Sequence, residues 1–322
     1  MRLASKGKQT TQHAKNVGSP DLLNALVMAS YGRHFLARDA EGEIWQVYGK
    51  GKRRDVAVGD EISILPSGDK QAWIEEIQTR RNLVYRSDAL KSKMFAANLD
   101  GVLLMLAISP PYSTELLGRT LTACKHADVP LTILFNKVDI LEGDQETLEA
   151  VEQELFEITL GEVPTHYISV TEHPQETEAL LRPLLADKRT LILGQSGMGK
   201  STLINLLIPD ALAATNEISM ALNAGKHTTT HTQMHFGEQG LELIDSPGFQ
   251  AFGLHHLSEV DLLNAFSDLR DEGNKCRFAN CQHKREPDCA VKNGLEDGTL
   301  SPARYELYQM LKAELEEAQA QY

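Results

Sequence analysis

Between residues 24 and 78 the polarity of the chain changes in short bursts. Residues 25–29, 33–37, 44–48, 60–64 and 73–77 are each rich in β-forming side chains, and the clusters Asp39-Ala40-Glu41-Gly42, Gly49-Lys50-Gly51-Lys52 and Pro66-Ser67-Gly68-Asp69 fall between them. Apolar runs this short, bounded by turn formers, predict strands. Five of them in so brief a span predict a small closed β-barrel of OB type, an architecture that commonly binds oligonucleotides.

Residues 79–87 read as a linker, and beyond them the period of the pattern changes. Strands are expected at 99–108, 131–135, 166–168 and 191–193, with amphipathic helices at 114–126, 145–160 and 176–185 between and after them. Alternation of that kind is the mark of a largely parallel α/β sheet. A last helix, 301–318, carries Ser301 as N-cap, Pro302 in its first turn and an apolar seam of Leu307, Met310, Leu311 and Leu315. Its default packing partner is the cysteine-rich segment before it. The expected organisation is therefore multidomain: a polar basic arm at 1–20, disordered for want of periodicity, barrel and linker at 21–86, an α/β domain at 87–254, and a C-terminal module at 255–322.

Composition narrows the class. With 322 residues and 42% hydrophobic content the chain can bury large cores. It lacks a run of the ~18–20 apolar residues that span a bilayer, and its start is too polar for a secretory signal, so a cytoplasmic protein without membrane partners is expected. The net charge of −13 argues against indiscriminate nucleic-acid binding, yet residues 1–86 hold 14 Lys/Arg against 10 Asp/Glu. That imbalance suits a local anionic partner or a solvated face. Lys50, Lys52, Arg53 and Arg54 give the barrel a cationic loop suited to RNA phosphate; Trp45, Tyr48 and Trp73 stand near it, better read as barrel core than as stacking platforms.

Chemistry enters with Gly194-Gln195-Ser196-Gly197-Met198-Gly199-Lys200-Ser201-Thr202, placed between a predicted strand and a helix. In this context G-x-x-x-x-G-K-[ST] wraps phosphates in backbone N–H groups, with Lys200 on the β/γ oxygens and the Ser201 hydroxyl on Mg²⁺. Asn136-Lys137-Val138-Asp139 follows another strand. The Asp139 carboxylate can accept from both N1–H and N2–H of guanine, donors that adenine cannot match, while Asn136 braces the loop and the Lys137 stem covers the base. Ser169-Val170 can offer a backbone amide to the guanine O6. Asp245-Ser246-Pro247-Gly248 forms a D-x-x-G motif, Asp245 toward Mg²⁺ and the Gly248 amide toward the γ-phosphate. Between the last two pieces, residues 225–231 include Thr228, Thr229 and Thr230; one hydroxyl would reach Mg²⁺, a role assigned here to Thr229. The base-reading motifs thus precede the phosphate motifs, as they would in a circularly permuted domain whose original ends were joined.

Cys276, Cys281, His283 and Cys289 lie within 14 residues. Three thiols and one imidazole suit a closed tetrahedral Zn²⁺ site, whose metal would supply most of the segment's folding energy. Lys275, Arg277, Lys284, Arg285 and Lys292 surround it, with Lys284 and Arg285 the best candidates for RNA contact. Cys124 stands alone, as a buried thiol does.

The permuted motif order, the barrel before it and the cysteine cluster behind it resemble the bacterial ribosome small-subunit-dependent GTPase family, RsgA (YjeQ, YloQ), from about Asn24 to the C-terminal helix. The resemblance implies GTP hydrolysis late in 30S assembly, stimulated by the subunit, with 16S rRNA and GTP/GDP as partners of a monomer. Many GTPases place a water-orienting Gln after D-x-x-G, where this chain has Phe249. The resemblance implies His227 in that role; the alternative is a histidine that packs or contacts rRNA. A rival reading makes the chain an RNA-binding assembly factor that uses GTP only as a switch.

Overall fold

A computed structural model of the chain describes residues 22–32, 34–50, 55–88, 91–211, 232–246, 254 and 256–320. The arm at 1–20, and with it Lys52, Arg53, Arg54, His227, Thr229 and Gly248, lies outside these residues.

Five strands, β1 (Leu23–Ser30), β2 (Phe35–Asp39), β3 (Ile44–Gly49), β4 (Glu61–Gly68) and β5 (Gln71–Ile77), form the barrel. They hydrogen-bond in the order β1-β2-β3-β5-β4, and β4 returns to β1 through pairs such as Ala25↔Ile62, so the sheet closes without an edge. Alternation sorts the side chains: Val27, Val47, Ile62, Ile64, Ala72 and Ile74 fill the interior. The expectation that all three aromatics belong to that interior is not met. Tyr48 and Trp73 occupy the opposite parity to Val47 and to Ala72 and Ile74, and Trp73 is 42% exposed. Trp45 shares the inward parity but only flanks the core, its indole donating to Asp39 at 2.7 Å.

Residues 79–87 are more than a linker. They contain the start of β6 (Leu83–Asp88), which pairs antiparallel with β7 (Lys91–Ala97). The α/β sheet follows: β8 (Gly101–Ala107), α1 (Thr114–Ala127), β9 (Leu131–Asn136), a 3₁₀ turn (Val138–Leu141), α2 (Gln145–Thr159), β10 (Thr165–Ile168), α3 (Pro174–Leu185), β11 (Arg189–Leu193), α4 (Lys200–Leu207), β12 (Gln233–Phe236) and β13 (Glu242–Asp245). In space the order is β10-β9-β8-β11-β13-β12, parallel except for β12. The chain walks outward from β8 to β10, restarts beside β8 at β11, then crosses to the outer position of β12 and returns to β13 between β12 and β11. The carboxyl edge between β8 and β11 is therefore a switch point, where open α/β sheets form ligand crevices.

Barrel and sheet are joined. Ala29 of β1 pairs with Gln233 of β12, the Arg189 guanidinium donates to the Gly59 carbonyl at 3.0 Å, and Asn98 donates to the same oxygen at 2.9 Å. Gly59 has φ +93°, and a Cβ there would lie 2.2 Å from the Ala97 carbonyl oxygen, so only glycine fits this close approach.

Beyond the sheet lie α5 (Glu259–Ala265), α6 (Ser267–Gly273), α7 (Ala290–Glu296) and α8 (Pro302–Ala320). Leu307, Leu311 and Leu315 of α8 are buried as the seam requires, but Met310 is 47% exposed. The fully buried arginine Arg304 donates to Asp268, to the Ala265 carbonyl and to the Ile158 carbonyl at the end of α2. α8 thus binds the α/β domain as well as the cysteine segment. Among the described residues, no helix is long and apolar enough to cross a membrane.

Candidate functional site

Every described motif of the α/β domain ends a parallel strand at the same edge: Asn136 closes β9, Ile168 leads β10 into Ser169-Val170, Leu193 leads β11 into Gly194, and Asp245 closes β13. Asn136 is buried and holds three of these pieces together. Its side-chain amide donates to the Met198 carbonyl at 2.9 Å, and its carbonyl oxygen accepts from the Val170 amide at 3.1 Å. Of the backbone amides that Ser169-Val170 could offer a base, that of Val170 is thereby committed to Asn136. Ser169 acts through its side chain: the hydroxyl donates to Asp139 Oδ1 at 2.5 Å and accepts from the Glu172 amide at 3.2 Å. The charge-assisted bond fixes the carboxylate's orientation, as a base-reading acceptor requires. Lys137 adopts φ +66° and its ammonium donates to the Ser109 carbonyl at 2.6 Å.

In the phosphate loop Gly194, Gly197 and Gly199 have φ of +145°, +84° and +101°. A Cβ on Gly199 would sit 2.4 Å from Asn136 Nδ2, so the glycine admits the clasp as well as the turn. Lys200 is buried at the start of α4 and its ammonium donates to the Gly194 and Gln195 carbonyls at 2.6 and 2.8 Å. Burial lowers its pKa, with Asp245 nearby acting against the shift. Burial likewise raises the pKa of Asp245, opposed by Lys200 and by the Ser246 amide. Asp245 Oδ1 and Ser246 Oγ are buried without a hydrogen-bond partner among the described residues. A buried carboxylate oxygen left bare is costly unless a cation or a donor faces it, and this one stands beside a phosphate loop. The donor set fits a hard cation such as Mg²⁺.

The family model described as RsgA GTPase matches residues 77–255, a span that contains all of these motifs. The chain belongs to the RsgA GTPase family. Its activity is accordingly GTP hydrolysis, and the inverted motif order is the family's permutation. A Burkholderia pseudomallei (strain K96243) protein named small ribosomal subunit biogenesis GTPase RsgA is 46% identical over 286 residues, covering 88% of this chain and 90% of that one. A Paraburkholderia phymatum protein of the same name is 45% identical over 300 residues, covering 92% and 93%. The crystal structure of YjeQ from Thermotoga maritima aligns with a TM-score of 0.67 at 27% identity, over 91% of this chain and 98% of that one. That of YloQ, described as a circularly permuted GTPase, aligns at 0.63 and 25% identity, over 96% and 98%.

Outside the GTPase motifs, this RsgA-family chain brings the four predicted metal ligands together. Their ligand atoms all lie within 4.8 Å of one another. His283 Nδ1 is 3.5 Å from the sulfurs of Cys276 and of Cys289, which are 3.9 Å apart. Tetrahedral bonds of about 2.3 Å to sulfur and 2.0–2.1 Å to nitrogen place S···N near 3.5 Å and S···S near 3.8 Å. The cluster can therefore hold a metal of that size. Burial raises the Cys281 thiol to about 11 and lowers the pKa of His283, which favours neutral imidazole for ligation. Tyr305 of α8 supports the site by donating to the His283 carbonyl at 2.7 Å.

On the barrel, Lys50 is paired with Glu75 at 2.5 Å. Tyr31, His34, Tyr48 and Trp73 form a chain of ring contacts with centroids 5.4, 6.0 and 5.7 Å apart. On the cysteine module Lys284 and Arg285 are exposed, their backbone amides tied to Glu286 at 2.9 Å. The segment 108–113 carries no nucleotide motif yet touches both nucleotide loops; its sequence signal is the turn-forming Ser109-Pro110-Pro111.

Proposed function

We propose that this GTPase acts in biogenesis of the small ribosomal subunit, the process in its relatives' names, and that the 30S particle stimulates its turnover. The relatives' names support the biogenesis part of the reading, and the observation that carries its nucleotide part is the Asn136 clasp, which joins phosphate loop, base-reading loop and Ser169-Val170 loop in one site. In it Asp139 and Ser169 select guanine, and Lys200 neutralises charge developing on the β- and γ-phosphates. Ser201, Asp245 and Thr229 would hold Mg²⁺, which when bound supplies positive charge for the transferring phosphoryl group. Gly248 would sense the γ-phosphate and His227 would position water. The Cys276, Cys281, His283 and Cys289 cluster would carry structural Zn²⁺.

Barrel and zinc module would meet 16S rRNA. Trp73, exposed beside Tyr48 on the barrel's outer face, suits base stacking, and Lys284 and Arg285, with Lys50, Lys52, Arg53 and Arg54, suit phosphate. The protein would work as a cytoplasmic monomer organised as barrel (21–86), permuted GTPase domain (87–254) and zinc module (255–322).

Phe249 at the place of a water-orienting Gln favours a second reading, a GTP-switched RNA binder with no meaningful turnover of its own. GTP hydrolysis measured with and without purified 30S subunits separates the two. Stimulation by the particle is expected; equal, near-zero rates in both conditions establish the binder instead.

A further inference from the structure

The segment between β8 and α1, Ile108 to Ser113, belongs to none of the nucleotide motifs yet reaches two of them. Its Ser109 carbonyl accepts from the Lys137 ammonium at 2.6 Å, beside the base-reading Asp139. Pro110 packs on the phosphate loop so closely that a Cβ on Gly197 would lie 3.2 Å from its ring. The Ser113 amide donates to Gln195 Oε1 at 3.0 Å, and the Gln195 carbonyl is one of the two oxygens that hold Lys200. Tyr112 anchors the segment from the side. Its hydroxyl donates to Glu154 of α2 at 2.6 Å, and its ring meets Phe135, one residue before Asn136, edge-on at 5.8 Å.

We infer that residues 109–113 form a strut that sets the spacing between the base-reading and phosphate-binding loops, with Gln195 as the positioning residue on the phosphate side and Tyr112 as the strut's anchor. The physical reason is the discontinuity of the site. Asn136–Asp139 and Gly194–Thr202 are far apart in the chain and come from strands separated by β8. A guanine nucleotide must be gripped at both ends, so any looseness between the loops is removed on binding at a cost in affinity. The strut starts from the intervening strand β8 and pins both loops in advance. Gln195 acts through the loop backbone and is not itself a catalytic residue.

The inference rests on the guanine-nucleotide reading of the site, and the test separates the two. Dissociation of a fluorescent N-methylanthraniloyl-GDP is measured for the full chain and for Gln195→Met, Tyr112→Phe and the Gln195→Met/Tyr112→Phe double variant, each checked for an unchanged thermal midpoint. Wild type that fails to bind GDP overturns the reading of the site itself. With wild-type binding intact, Gln195→Met, which keeps the shape but loses the acceptor, is expected to speed dissociation about five- to tenfold, the effect of one neutral hydrogen bond. In Tyr112→Phe, which lies outside the phosphate loop, KM for GTP rises in proportion to the faster dissociation while kcat stays near wild type, because the anchor serves ground state and transition state alike. Tyr112→Phe weakens binding too, and the double variant is no worse than the weaker-binding single variant because both act through one strut. Wild-type dissociation in both single variants, or effects of the two that multiply, overturns the inference.

Discussion

His235 of β12 is buried, and burial drives its pKa down to about 4, with a hydrogen bond to the Ala211 backbone pulling the other way. The unfolded chain binds that proton near the ordinary histidine value of about 6.5, whereas the folded chain waits until about 4. Stability from this group is therefore complete above about pH 6.5 and is lost as pH falls toward 4, by up to about 3 kcal/mol. Urea unfolding at pH 7 and pH 5 should show about 2 kcal/mol of that loss, and His235→Gln should flatten the slope between those values without affecting carboxylate losses at lower pH. At Asp139 the expected outcome concerns specificity. Asp139→Asn replaces an acceptor by an amide that can donate to the C2 carbonyl of xanthine, so binding preference should move from GTP toward XTP. Competition between the two nucleotides measures the shift; unchanged preference for GTP would place base recognition elsewhere.

At the scale of elements, α8 crosses α1 where Gly118 leaves no room. A Cβ at 118 would lie 2.8 Å from Leu311 Cδ1 and 3.0 Å from both Leu307 methyls. Gly118→Val forces the two helices apart inside a buried seam and should cost about 2–3 kcal/mol, read as a lower unfolding midpoint; an unchanged midpoint would show that α8 repacks freely. The hydrophobic seam of α8 was legible because Leu307, Leu311 and Leu315 recur at helical spacing, and the five barrel strands were legible from alternation between turn clusters. Arg304 was not, because a charge inside the seam is tolerated only through partners on three other elements, Ile158, Ala265 and Asp268. The β6–β7 hairpin was hidden for a related reason. Arg80, Arg81 and Arg86 make its beginning look like solvent-exposed linker, yet Arg80 is spent on the buried Asp60 and Arg81 on Asp100. The nucleotide motifs were readable one by one because each is a local backbone device. The Asn136 clasp and the 109–113 strut were not, because they exist only when the permuted strands are side by side.

Across the whole molecule the joints are of unequal strength, and this decides what metal loss does. α8 is fixed to the GTPase domain by Leu307 and Leu311 against Gly118 and by Arg304 against the end of α2, contacts that need no metal. The cysteine segment is fixed to α8 by polar contacts, Tyr305 to the His283 carbonyl and Lys312 to Gln282 at 2.7 Å, and by its own ligand cluster. A polar loop of this size has little apolar area to bury, so with the proposed Zn²⁺ bound its order would depend on the metal. Cys281→Ala is therefore expected to lower bound zinc, measured by elemental analysis, and to open residues 274–289 to limited proteolysis. GDP affinity should stay within about twofold of wild type, because the nucleotide site and the α8 joint are both independent of the cluster. If the proposed function holds, stimulation by 30S subunits should fall, since Lys284 and Arg285, proposed to contact RNA, would no longer be held on an ordered loop. A parallel loss of GDP affinity would instead show that the zinc module is coupled to the nucleotide site itself, through the chain that leads from Asp245 to α5.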